Sequence, residues 1–277
     1  MECSLEKITV HYEEFGEGKP LVFLPGWGLN ARWTAYEAEP YFHERTGWKR
    51  FYIDPPGHGK TPGKDWITNQ DAILDVVLDC VDQLTGGKRF CLIGHSLGAY
   101  LARGVLRARM DLVDGIAMLV PVIYAEDGKR TLPPHHVLVE DPSIRAEIKP
   151  EEEFLLEISV VHSRKWLDYQ RSFPELPEQE MGDFEFLNKI RTQAAKYAFS
   201  FDPDDLPEPF PRPALLVSGR QDAIAGYQDA WALLEKYPRA TYAVLDRAGH
   251  PLEEKTDLVK ALINDWLDRV EESAVSE

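Results

Sequence analysis

The chain has 277 residues, 44% of them apolar, enough to fill the core of one large domain without requiring a second. Its 47 Asp and Glu outweigh 31 Lys and Arg for a formal charge of -16, which repels phosphate backbones and anionic lipid and so excludes nucleic acid and the membrane surface as expected partners. Only three cysteines are present, Cys3, Cys80 and Cys91, the last two in apolar patterns suited to buried thiols, so a disulfide framework is excluded.

The start, from Met1 to Lys7, has neither the basic residues nor the apolar stretch of a secretory signal. The apolar run at 115–122 falls short of the roughly 20 residues that span a bilayer. A soluble cytoplasmic protein is expected, with its oligomeric state open.

In chain order, strand patterns fall at residues 9–12 and 21–24, the second running into Pro25-Gly26-Trp27-Gly28. That glycine-rich turn can bring backbone close to a ligand, and Trp33 and Tyr36 flank it as candidate pocket walls. A strand at 50–54 leads into Asp54-Pro55-Pro56-Gly57-His58-Gly59-Lys60-Thr61. Ile73, Val76, Val77, Cys80, Val81 and Leu84 then mark a helical stripe, and after Gly86-Gly87 a strand is expected at 89–93.

Gly94-His95-Ser96-Leu97-Gly98 follows, with Leu97, Leu101, Val105 and Leu106 at helical spacing beyond it. Strand, sharp turn and helix around a G-x-S-x-G pentapeptide is the pattern of a nucleophile elbow, in which glycines two before and two after the serine relieve a strained backbone. An alcohol is a weak nucleophile at neutral pH, so Ser96 needs an imidazole base and a carboxylate to orient it. Both are expected downstream. The strand at 214–218 runs into Gly219-Arg220-Gln221-Asp222, and the strand at 241–245 into Asp246-Arg247-Ala248-Gly249-His250. Asp222 is the expected acid and His250 the expected base, with Asp229, Asp246 and an acid after the strand at 115–120 as fallback acids. Developing negative charge on a substrate calls for backbone donors, for which the amides of Trp27 and Leu97 are chosen.

With these residues together, the chain resembles the α/β-hydrolase fold family over nearly its whole length. The segment from Asp54 to Thr61 looks like that family's D-x-P-G-x-G-x-S loop, with Thr61 in place of the commoner serine. The resemblance implies hydrolytic serine catalysis with no metal and no organic cofactor, and maps nucleophile, acid and base onto Ser96, Asp222 and His250. Where many relatives carry His-Gly, this chain has Pro25-Gly26; proline lacks an N–H, but the inferred donor is Trp27. Gly26 to Ala31 is also locally similar to the matching turn of pimeloyl-ester carboxylesterases.

The expected fold is therefore α/β: a mostly parallel central sheet of about eight strands flanked by helices, interrupted by a helical cap. Residues 1–123 and 207–277 would form the core, and 124–206 the cap, where strand patterns stop and 18 Asp and Glu against 10 Lys and Arg leave a net -8. Tyr124, Phe154 and Trp166, with Trp27 and Trp33, are the candidate pocket residues, and Phe154, Leu155, Ile158, Val161 and Trp166 keep roughly helical spacing over Ser96. His135-His136 lacks further ligands at metal spacing, so no metal site is assigned. His95 reads as elbow framework and His58 as a loop brace. The tail from Glu271 is expected to fray.

The activity expected is hydrolysis of a small or medium apolar acyl ester, a small-molecule substrate, through an acyl-enzyme, as in a carboxylesterase. Carbon-carbon bond hydrolases, lactonases, thioesterases and perhydrolases use the same triad, and a non-catalytic ligand-binding descendant is the alternative from another class.

Overall fold

The computed structural model describes residues 1–173, 175, 177 and 180–275. An eight-stranded sheet organises the chain. Its strands are β1 (Glu2–Ser4), β2 (Thr9–Phe15), β3 (Lys19–Leu24), β4 (Trp48–Ile53), β5 (Phe90–His95), β6 (Val113–Leu119), β9 (Ala214–Gly219) and β10 (Ala240–Leu245); β7 (Val139–Glu140) and β8 (Val161–His162) form a separate parallel pair. The spatial order is β1-β2-β4-β3-β5-β6-β9-β10, antiparallel at β1·β2 and β2·β4 and parallel from β4 onward.

The parallel strands read as unbroken apolar runs because both sheet faces are covered. Alternation still divides them: Val22, Leu24, Phe90, Leu92 and Leu216 pack into one core layer, and Leu21, Phe23, Cys91, Ile93 and Leu215 into the other. On the first face lie α2 (Gln70–Thr85) and α3 (Leu97–Ala108); on the second, α1 (Ala31–Ala38) and the C-terminal α10 (Thr256–Val275) contribute Ala35, Ile263 and Trp266. Asn30 and Asn69 cap α1 and α2 by accepting from Trp33 N–H and Ala72 N–H.

Between β6 and β9 the chain leaves the sheet through short helices: α4 (Pro142–Arg145), α5 (Glu153–Ile158), α6 (Arg164–Gln170), α7 (Phe184–Arg191) and α8 (Ala194–Tyr197); α9 (Gln228–Trp231) follows β9. Arg103, fully buried on α3, holds both necks of this excursion. Its guanidinium donates to the carbonyls of Val122 (2.9 Å) and Ile123 (2.7 Å) at the exit and pairs with Asp204 at the return.

Three sequence expectations change. The excursion contains the β7·β8 pair, formed by two-residue strands too short to leave a pattern. The tail is ordered: α10 continues through Val275 because Glu271 accepts from Arg45 Nη1 and Trp48 Nε1, both at 2.8 Å, while Ser276 and Glu277 lie outside the described residues. And β1, which no periodicity announced, pairs with β2 and buries Cys3. Among the described residues no helix is long and apolar enough to cross a membrane.

Candidate active site

Ser96 sits between β5 and α3 with φ 53° and ψ -114°, a conformation that a non-glycine residue holds only when its surroundings impose it. The surroundings are specific. A Cβ on Gly98 would lie 2.0 Å from the Leu24 carbonyl oxygen, and one on Gly94 2.5 Å from Ala99 Cα, so side chains at either position would force α3 away from the sheet. Ser96 N–H donates to Leu119 C=O (2.9 Å) and its own carbonyl accepts from Val122 N–H (3.3 Å), tying the turn to β6.

Asp222 follows β9 and is wholly buried. Its Oδ1 accepts from the backbone N–H groups of Ile224 (2.8 Å) and Ala225 (2.9 Å), and its Oδ2 lies 2.9 Å from His250 Nδ1. Burial pushes this carboxyl up, but His250 and the two backbone donors outweigh that and hold it below its ordinary value. His250 Nε2 lies 2.9 Å from Ser96 Oγ. Because the carboxylate can only accept, Nδ1 donates to it, and Nε2 is left to accept from the serine hydroxyl.

The loops carrying Asp222 and His250 are locked together. A Cβ on Gly219 would lie 2.1 Å from Gly249 O, so only glycine permits the approach. Gln221 N–H donates to Ala248 C=O (3.0 Å), and the Gln221 side chain donates to Asp246 (2.9 Å) and accepts from Ala248 N–H (3.2 Å). Asp246 is thus engaged with Gln221, and Asp229 accepts from Thr131 N–H (2.8 Å); the carboxylate paired with His250 is Asp222, not a fallback acid.

The turn at Gly26 is seated against the serine: a Cβ there would meet His95 Nδ1 at 2.9 Å and Ser96 Cβ at 3.4 Å. The backbone N–H groups of Trp27 and of Leu97, the latter at the first position of α3, have no acceptor within the protein among the described residues. Behind the turn, Asp54 accepts from Ala31 N–H (2.6 Å) and Lys60 N–H (3.0 Å) and faces His11 Nδ1 (2.8 Å), so the Asp54 to Thr61 loop braces the start of α1. His58 is buried in that loop, and burial lowers its pKa. Burial, with the nearby His250, brings His95 down to about 3, leaving both imidazoles neutral.

The candidate pocket residues separate. Trp27 lies beneath α7, its ring 5.5 Å from that of Phe184. Trp33 packs on Phe173 at 4.5 Å, joining the core to the excursion, and Tyr124 is half-exposed. Two expectations are corrected. Trp166 is buried in the excursion's own small core with Ile144 and Leu167, its Nε1 donating to Ser159 Oγ (3.1 Å), and Phe154 is 56% exposed on α5. The helical spacing that linked them does not persist, because α5 ends at Ile158 and Val161 lies in β8. The segment that overlies the turn is instead α7: Cβ atoms at Gly28, Gly57 and Gly63 would collide with Phe184 or Phe186. On the other side, Ile158 O would lie 2.6 Å from a Cβ at Gly249.

Gln221, which ties the Asp222 and His250 loops together, escaped the sequence reading, since its contacts lie more than twenty residues away and leave no periodic signal. Among the described residues no group of three His, Cys, Asp or Glu side chains is disposed to hold a metal ion, and His135 Nε2 is instead 3.0 Å from Ser159 O.

A serine on a strained strand-to-helix turn, hydrogen-bonded in series to histidine and aspartate at the carboxyl edge of a mostly parallel sheet, defines a class of hydrolase folds. A family model described as the Alpha/beta hydrolase family matches residues 21–261, and the chain belongs to that family and is a hydrolase. It is 24% identical over 267 residues to the pimeloyl-[acyl-carrier protein] methyl ester esterase of Legionella pneumophila (strain Corby), covering 94% of this chain and 100% of that protein. It is 35% identical over 111 residues to the (E)-2-((N-methylformamido)methylene)succinate hydrolase of Acinetobacter baylyi, a match covering 40% of this chain and 41% of that one. In solved structures, an alpha/beta superfamily hydrolase from Oenococcus oeni PSU-1 superposes with a TM-score of 0.83 at 25% identity, over 98% of this chain and 99% of that one.

Proposed function

We propose that the protein is a serine carboxylic-ester hydrolase working through an acyl-enzyme. The observation that carries this reading is the unbroken relay from Ser96 Oγ to His250 Nε2 and from His250 Nδ1 to Asp222 Oδ2, 2.9 Å at each step. His250 takes the hydroxyl proton as Ser96 Oγ attacks the ester carbonyl, and the resulting imidazolium is stabilised by ionised Asp222. The tetrahedral oxyanion is met by the unpaired amides of Trp27 and Leu97. Collapse expels the alcohol with the proton from His250, and water, deprotonated by His250, then cleaves the acyl-Ser96 ester and restores the serine.

Residues 124–206 act in this scheme as a cap that excludes water from the serine. Ester as the substrate class is supported by the name of the Legionella relative, which covers nearly the whole chain.

A fluorophosphonate probe tests the reading. Rapid labelling of Ser96, lost in Ser96→Ala, together with turnover of para-nitrophenyl esters, is the expected result. A folded protein that is neither labelled nor active on esters, thioesters or lactones would show that the site is not used for acyl transfer.

A further inference from the structure

Helix α7 crosses Trp27 lengthwise. Phe184 and Arg191, two helical turns apart and therefore on one face, both rest on the indole, at 5.5 Å and 5.4 Å from its ring centre. The Arg191 guanidinium also lies 5.5 Å over the Tyr197 ring, with Nη1 3.3 Å from the Tyr197 hydroxyl. Among the described residues it has no carboxylate partner, in a chain where acids outnumber bases 47 to 31. The Trp27 Nε1 hydrogen is likewise enclosed with no acceptor among the described residues.

A second guanidinium of the excursion, by contrast, has its donors engaged. Arg130 is already committed, donating to the carbonyls of Tyr124 (2.7 Å), Ala125 (2.9 Å) and Ile224 (3.0 Å) and pairing with Asp127 (2.9 Å). Among the described residues Arg191 thus has no salt-bridge partner, and it is held between Trp27, on the turn that abuts Ser96, and Tyr197. A partly buried guanidinium stacked on aromatic rings, with one hydroxyl acceptor and no carboxylate, keeps N–H donors free for an anionic ligand.

We propose that Arg191, together with Trp27 Nε1–H, forms a carboxylate subsite, so that the preferred substrates are esters carrying a second, free carboxylate a few carbons from the ester carbonyl, that is, half-esters of dicarboxylic acids. The planar guanidinium fork matches a carboxylate in two hydrogen bonds, and stacking on Trp27 and Tyr197 fixes its plane in advance. The Trp27 N–H gains the acceptor it lacks. This inference rests on the serine-esterase reading, since it concerns what that site selects.

The test uses the full chain and pairs of equal-length esters: para-nitrophenyl hydrogen adipate against para-nitrophenyl hexanoate, and the glutarate against the pentanoate. Wild type should favour the half-esters in kcat/KM, and Arg191→Gln should lower kcat/KM for the half-ester more than for the neutral ester by on the order of ten- to a hundred-fold, mostly through KM. Arg191→Lys should recover part of the loss. Equal losses on both members of a pair, or a wild-type preference for the neutral ester, would overturn the proposal. Binding of monomethyl adipate and methyl hexanoate to Ser96→Ala by calorimetry reads the subsite without turnover and without altering Arg191: tighter binding of the half-ester is expected, and equal binding refutes the subsite. Absence of turnover on every ester would strike the esterase reading, while this binding comparison still decides the subsite.

Discussion

Arg130 reaches across 94 residues to donate to the carbonyl of Ile224, the residue whose own N–H holds Asp222 Oδ1. The start of the excursion after β6 and the Asp222 loop are therefore one hydrogen-bonded unit. Its guanidinium is almost wholly enclosed, and burial lowers its pKa.

Arg130→Met should consequently do two things. It leaves three carbonyls without their donor, which should cost about 3 kcal/mol in stability. It also frees the 222–225 loop, so kcat should fall by about ten-fold while KM moves less, because Asp222 orients His250 and does not bind the ester. Urea unfolding beside steady-state kinetics checks both; unchanged kcat in a folded variant would show that the acid loop does not need the clamp.

Within the relay, Ser96→Ala and His250→Ala should each remove nearly all turnover. Asp222→Asn should fold and yet lose about ten-thousand-fold in kcat, since an amide at Oδ2 favours the wrong imidazole tautomer. Circular dichroism and burst kinetics on the three variants settle the order. Near-normal turnover in Asp222→Asn would place the acid elsewhere.

Trp166→Ala should lower stability by about 3 kcal/mol, the cost of truncating a buried aromatic, and leave the ranking of esters by chain length as it was. The indole packs with Ile144 and Leu167 in the excursion's own core and donates to Ser159. Melting temperature measured with an ester panel tests this, and a changed chain-length preference at full stability would return Trp166 to the pocket.

Acid should destabilise the fold through its enclosed histidines. His95 has a folded-state pKa of about 3, below its unfolded value near 6.5, so the unfolded chain binds the proton first. Stability is lost as pH falls below about 6.5 and the loss levels off near the folded pKa of about 3, with up to about 2 kcal/mol gone by pH 5 from this residue alone. His58 acts in the same direction. Denaturant midpoints at pH 7 and pH 5 should differ less in His95→Asn than in wild type; identical differences would show that His95 does not carry the effect.

The relay residues and the strands that carry them could be read from the chain alone for a local reason. Strands buried on both faces must be apolar throughout, and the close approaches at Gly94, Gly98 and Gly219 admit no side chain, so the elbow and the acid and base loops carry their signature within a few residues. The excursion between β6 and β9 had no such constraint. Its short helices are held by contacts such as Arg103 to Asp204, Arg130 to Ile224 and Asn30 to the Glu180 carbonyl, which span roughly a hundred residues or more and leave no periodicity. Trp166 looked like a roof because apolar spacing records only that a residue is buried, and its neighbours in the cap core were needed to say against what. Likewise β1 became a strand only because β2 offered it an edge, and Glu271 stayed helical only because Arg45 and Trp48 were there to bind it. Chemistry that depends on backbone turns was thus written locally, while the segment that overlies the Gly26 turn, with Arg191 set over Trp27, was decided by which distant segments the folded chain brought together.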